Sequence, residues 1–200
     1  MTGEAYFYER SINVLKCKFT CKISLNVNIF VKLIRLTEFQ FRKVKYFTVK
    51  FEENDVNEFF DFLNRMEDVS EISEDLANLL VWIEEIGENY GAIKNRYFRN
   101  ESIRADVQAL PPPRKQMEAM EIQVENIRLY CMVANEHVVF LFNGGIKTTN
   151  NAKDCPNVGK YIDQANRIVL GIDEMLKTRE IAWTEDQTDI EFDEDLEIEL

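Results

Sequence analysis

Histidine occurs once in these 200 residues, proline four times and glycine seven times. Each shortage removes a class of protein. With His137 as the sole imidazole, a zinc site would need two close cysteine pairs, and Cys17, Cys21, Cys131 and Cys155 supply only one, at a C-x3-C spacing. No metal and no cofactor is expected. There is too little glycine and proline for a collagen-like or low-complexity chain, so most of the sequence should be globular. No apolar run approaches the roughly eighteen residues that a membrane helix needs. Residues 1–36 also lack the short apolar block and small-residue cleavage site of a secretory leader. The expectation is a cytoplasmic protein with reduced thiols and no membrane partner.

What is present suffices for one core. The chain is 46% hydrophobic and 12% aromatic, and its length suits one domain with extensions better than two full domains. Its formal net charge is −12, and uniform acidity would exclude nucleic acid, because phosphate contacts demand Lys and Arg. The charge is not uniform. Thirteen acidic residues face only Arg65 between Glu52 and Glu88, and nine more follow from Glu185 onward. Between Ala92 and Lys115 the sign reverses, with Lys94, Arg96, Arg99, Arg104, Arg114 and Lys115 against Glu101 and Asp106. Such a stretch either grips a polyanion or neutralises the acidic helices that precede it.

Residues 19–33 alternate apolar and polar side chains, the period of a strand, with a break near Asn26 or Asn28. Thr37–Phe51 reads as strand again, interrupted by a bulge or turn near Arg42–Val44. Asn54 or Asp55 is placed to cap a helix in which Val56, Phe59, Phe60, Leu63 and Met66 recur at helical spacing. Ser73 is placed to cap a second, with Leu76, Leu79, Leu80, Ile83 and Ile86 as its stripe and Gly87 as its end. The two suggest a helical hairpin on one sheet face. Pro111-Pro112-Pro113 then favours a stiff, extended strap. Ile127–Val133 and His137–Phe142 flank Ala134-Asn135-Glu136 as a β-hairpin, and Asn143-Gly144-Gly145 permits a sharp turn before a short strand at Ile146–Thr149. A last helix is expected over Val158–Lys177, followed by a mobile acidic tail.

This order, together with ENIRLYCMVANEHVVFLFNGGIKTT at 125–149, resembles the RelE/ParE superfamily of toxins, most closely its HigB-like, phage-derived members. The matching elements are the strand x-I-R-L-Y-C and the segment V-x-L-x-N-G-x-x-K-x-T. The resemblance covers about Lys45–Lys177. It divides the chain into a β-rich extension at 1–43, a RelE/HigB-like domain at 44–178 and an acidic tail at 179–200. It implies an α+β fold with an antiparallel β-sheet, an N-terminal helical hairpin and a C-terminal helix.

The resemblance also implies the toxin of a type II toxin–antitoxin pair, an endoribonuclease that cuts mRNA on the ribosome without a metal and is neutralised by a cognate helix-turn-helix antitoxin. Arg128 matches the family's arginine on the central strand and Lys147 the basic position after the next strand. Both would act as catalytic residues on a concave sheet face, where fixed cations stabilise the charge that builds on phosphate as a ribose 2′-hydroxyl attacks. Lys94, Arg96, Arg99, Arg104, Arg114 and Lys115 are the candidate RNA-binding cations. Tyr130 shares the face of Arg128 and either stacks on a base or packs across strands. His137 is a possible general base by chemistry, but its place at the hairpin turn separates it from Arg128 and Lys147. Cys131 alternates away from Arg128 and belongs to the core. The acid surplus and the added N-terminal strand motivate an alternative, a non-catalytic interaction module. A further option makes residues 185–199 an acidic lid over the basic strap.

Overall fold

The computed structural model describes residues 29–102, 104–148 and 155–200. The alternating segment before residue 29, with Cys17 and Cys21, lies outside the described residues, as does the end of the short strand expected at Ile146–Thr149. Two β-hairpins build the centre of the sheet. β1 (Phe30–Gln40) and β2 (Lys45–Phe51) pair antiparallel across a turn closed by Phe41 N–H on Val44 C=O at 3.0 Å, with a register shift between Arg35 and Gln40. α1 (Glu58–Glu67), α2 (Ser73–Glu85), α3 (Lys94–Tyr97), β3 (Arg99–Asn100), β4 (Gln108–Leu110) and α4 (Arg114–Met120) follow. β5 (Ile127–Val133) and β6 (Val138–Ile146) make the second hairpin. α5 (Gly159–Thr178), β7 (Ile181–Trp183), β8 (Ile190–Phe192) and β9 (Glu197–Glu199) complete the chain.

The sheet runs β3-β4-β5-β6-β2-β1-β9. The two hairpins meet along their second strands, so β2 and β6 lie parallel, with Lys45 opposite Val138 and Phe47 opposite Phe140, while the other neighbours are antiparallel. This corrects the expected RelE-like antiparallel sheet: the fold is a mixed α/β arrangement on a seven-stranded mixed sheet. The helical hairpin is corrected as well, since α1 packs chiefly on β6 and β2 and much less on α2. Alternation within a strand records which face is buried and says nothing of the neighbour's direction.

Both sheet faces are covered. One carries α1, α2 and the segment through α4, with Phe59, Phe62, Leu79, Trp82 and Ile83 packed on Tyr46, Leu129, Cys131 and Leu141. The other carries α5, with Ile162, Ile168, Val169 and Ile172 on Phe47, Tyr130, Phe140 and Phe142. Each such side chain contributes about 1.5–3 kcal/mol when fully buried. Every residue of β5 is buried, and so is every residue of β6 but Ile146, as expected of strands sandwiched between layers.

Several local expectations change. α1 is capped by Asn57, whose side chain accepts from Phe60 N–H at 2.9 Å, rather than by Asn54 or Asp55. Ser73 is the first residue of α2, and no side chain caps that helix. The chain leaves α2 through a π-turn at Ile86–Tyr90 and stops at Gly91, with φ of +81°, while Gly87 is required for close packing, since a Cβ there would lie 2.3 Å from the Phe41 ring. Pro111-Pro112-Pro113 links β4 to α4, and β3 and β4 ahead of it extend the sheet from β5. Asn143-Gly144-Gly145 makes no turn: it lies inside β6, where a Cβ on Gly144 would sit 1.9 Å from Arg128 C=O. The acidic tail is built into the fold. β7 pairs with β8, β9 pairs with β1, and Ile181, Ile190 and Ile198 are buried. β9 occupies the sheet edge opposite β3, so the tail forms no lid over the basic stretch.

Candidate functional site

Strand register gathers part of the basic set on the α5 face. Arg99 pairs with Ala109, which pairs with Tyr130, and directly opposed residues share a face. Arg128, two residues before Tyr130, pairs with Gly145, whose free side faces Asn157, Val158 and Tyr161 at the start of α5. Lys147 follows at a spacing of two, anchored by its N–H on Asn126 C=O at 2.6 Å. Arg99, Arg128 and Lys147 thus lie within reach of one another's fields. Burial depresses each below its ordinary pKa, and the neighbouring cations depress Arg99 and Lys147 further. Glu101 is the carboxylate that opposes this in all three, and among the described residues neither Arg128 nor Lys147 has a salt-bridge partner. Arg114 joins Arg99 and Arg128 around a cavity of about 290 Å³ that also touches Gln123 and Glu125.

Arg128 is only 6% exposed. Its Nη1 donates to Ile127 C=O at 2.7 Å, while its Nε and the Tyr130 hydroxyl are buried with no hydrogen-bond partner. Two such orphans, each costing about 1–3 kcal/mol, invite a polar group from outside. Tyr130 is fully buried, which corrects the idea that it stacks on a base: its ring packs beneath α5.

Beside these groups, four residues before α5 begins, lies Cys155. Burial pushes its thiol up, but hydrogen bonds from the Thr148 hydroxyl and N–H and from the Asn157 and Val158 N–H groups outweigh this and bring it down to about 6.

The rest of the predicted basic set is dispersed. Lys94 is tied to Asp106, Arg96 covers the Tyr97 ring at 5.2 Å, and Arg104 and Lys115 are exposed. Arg99 donates to Pro112 C=O at 2.7 Å, and Arg114 pairs with Glu118 at 2.8 Å. His137 sits at the far end of the β5–β6 hairpin, its Nδ1 2.9 Å from Lys43 C=O. Cys131 faces the opposite layer, and burial pushes its thiol up. Among the described residues, no group of three metal-ligating side chains converges.

Sequence reasoning passed over a second cluster. At the carboxyl ends of the parallel pair β2 and β6, α1 leaves to one face and α5 to the other, and a cavity of about 770 Å³ opens there, lined by Glu58, Asp61, Asn143, Lys160 and Gln164 among others. Asn143 Nδ2 donates to Glu58 Oε2 and to Asp61 Oδ2, both at 2.9 Å, and its Oδ1 accepts from Arg65 and from Gly144 N–H. Burial raises the Glu58 pKa, with Asn143 opposing. Asp61 is lowered because the hydrogen bonds from Asn143 and Arg65 outweigh its desolvation. The one available signal is the polar Asn143 closing the apolar run of β6, where an Asn-Gly pair suggests a turn.

Compared with family models, with curated proteins and with solved structures, the chain matches none. No helix among the described residues is long and apolar enough to cross a membrane.

Proposed function

We propose that the Arg99, Arg128 and Lys147 cluster binds a phosphodiester of RNA, and that the chain is a cytoplasmic, metal-independent endoribonuclease acting on ribosome-bound mRNA as the toxin of a toxin–antitoxin pair. The observation that carries this reading is the strand register that brings Arg99 and Arg128 close to the strand-end Lys147, so that Arg128 acts on the charge of both others, beside a buried guanidinium Nε and a buried hydroxyl that lack partners. A bound phosphate would relieve the repulsion between the cations. Its oxygens gain charge as the 2′-hydroxyl attacks phosphorus and the 5′-oxygen leaves, and fixed cations lower that barrier. Lys147, whose pKa is depressed by burial and by Arg128, suits the transfer of the 2′ proton. A cognate antitoxin, expected to carry a helix-turn-helix, would restrain the activity in the cell.

The test is cleavage of ribosome-bound and free mRNA by the purified full chain in chelator. Expected are fragments ending in 2′,3′-cyclic phosphate, with Arg128→Met and Lys147→Met each slowing cleavage at least about 10²-fold while the fold is retained. Unchanged cleavage by both variants would remove the assignment. One observation favours a second reading, the non-catalytic interaction module: Arg128 is nearly sealed and spends Nη1 on its own strand. Absence of both cleavage and RNA binding by the wild-type chain at low salt would select it.

A further inference from the structure

β9 covers only the start of the outer edge of β1. Its pairs are Phe30–Glu199, Val31–Ile198 and Lys32–Glu197, whereas β1 runs on to Gln40, and among the described residues no strand continues the sheet beyond Lys32 on that side. Leu200 N–H donates to Ile29 C=O at 2.9 Å, so the odd-numbered residues here turn their backbone groups toward β9. The same alternation, in register with β2 as far as Arg35, turns the N–H and C=O of Leu33 and Arg35 outward past the end of β9. An unpaired ladder of this kind is a template for another strand.

A groove of about 640 Å³ runs beside this edge, with Leu33, Ile34 and Thr37 on one wall and Ile190 and Phe192 on the other. Its charge is one-sided. Arg35 is held by both oxygens of Asp189 at 2.9 Å and by Ile190 C=O, and Lys32 is held by Asp195 and Glu197. Glu191 and Glu194 are exposed on the groove and have no salt-bridge partner among the described residues.

We propose that the open edge of β1 at Leu33–Arg35 receives an extended segment of a partner protein that carries both apolar and basic residues on the face it turns to the groove. Its main chain pairs with Leu33 and Arg35. Side chains two apart on a strand share a face, so on the groove side apolar residues meet Ile190 and Phe192 while basic residues meet Glu191 and Glu194. A second copy of this chain is a poor occupant, because pairing two such edges would set the same carboxylates against each other. The inference is independent of the phosphodiester site, which lies toward the β3 side of the sheet.

The experiment titrates a peptide of about seven residues, with valine and lysine taking turns at every second position and threonine between them, into the isotopically labelled full chain, beside one with glutamate for lysine and one methylated on alternate backbone nitrogens. Expected are saturable shifts and slowed amide exchange at Leu33 and Arg35, with affinity at least about tenfold lower for both control peptides. The double variant Glu191→Lys and Glu194→Lys, changed only at exposed positions, should exchange preference toward the glutamate peptide. Absence of saturable binding, shifts confined to the acidic α1–α2 surface, or equal binding of both charge types overturns the proposal. So does sedimentation showing that copies of the chain pair through this edge.

Discussion

Asn143 makes the strongest local prediction because four groups depend on it. Truncation to alanine removes the donor to Glu58, a carboxylate left only 3% exposed, and the hydrogen-bond partner of the buried Gly144 N–H. A bond to a charged buried group contributes about 1.5–3 kcal/mol, and an orphaned buried N–H costs about 1–3 kcal/mol. Asp61 is half-exposed, so water replaces its lost donor and the loss there is small. The sum is roughly 3–5 kcal/mol, a large share of the ~5–15 kcal/mol that stabilises a domain of this kind. The cost also depends on pH. Glu58 has a folded-state pKa above its unfolded value, so its protonated form is the one favoured by folding, and stability declines as pH rises through the raised value. Asn143 opposes that rise, so removing it lifts the Glu58 pKa further and enlarges the penalty on the alkaline side. Urea unfolding at about pH 5 and about pH 8 measures both effects. Glu58→Gln in the Asn143→Ala background should recover part of the alkaline loss, since an amide needs less solvation than a carboxylate. A cost below about 1 kcal/mol that is equal at both pH values would refute the reasoning.

Two further outcomes test the tail and the thiol. Ile198→Ala, at a fully buried position of β9 beside Gly171 of α5, should lower unfolding free energy by about 2–4 kcal/mol in urea titration, and a change within about 0.5 kcal/mol would show that the tail is not part of the core. Ultraviolet absorbance of the Cys155 thiolate should titrate near pH 6 in a chain with Cys17, Cys21 and Cys131 changed to alanine, and because this folded-state pKa lies below the ordinary 9.0, the associated stability is present above 9.0 and is lost as pH falls through 6. A midpoint near the ordinary thiol value would show that the hydrogen bonds from Thr148, Asn157 and Val158 do not stabilise the thiolate.

Elements whose cause is local were legible. Phe59, Leu63 and Met66 recur at helical spacing because one side of α1 must be apolar. The Asn135 turn between Ile127–Val133 and Val138–Ile146 forms because its side chain accepts from His137 and Val138 N–H at 2.8 and 2.9 Å. Burial of β5 on both faces was not legible: Arg128 within Ile127–Val133 suggests a surface that binds RNA, whereas α5 covers that side of the strand. Asn143 and Gly144 were misread because an Asn-Gly pair has the same letters in a turn and in a strand pressed against its neighbour. Only the 1.9 Å approach of Arg128 C=O distinguishes the two.

Period and composition alone determined the main amphipathic helices, the β5–β6 hairpin, the bipolar charge and the pairing of Arg128 with Tyr130 on one face, because each depends on side chains a few residues apart. The tertiary structure decided that β2 lies parallel to β6, that the tail completes the sheet edge and that Glu58, Asp61 and Asn143 share a cavity. These depend on which distant surfaces bury each other, and that choice is made by packing over the whole core, which no short stretch of sequence encodes.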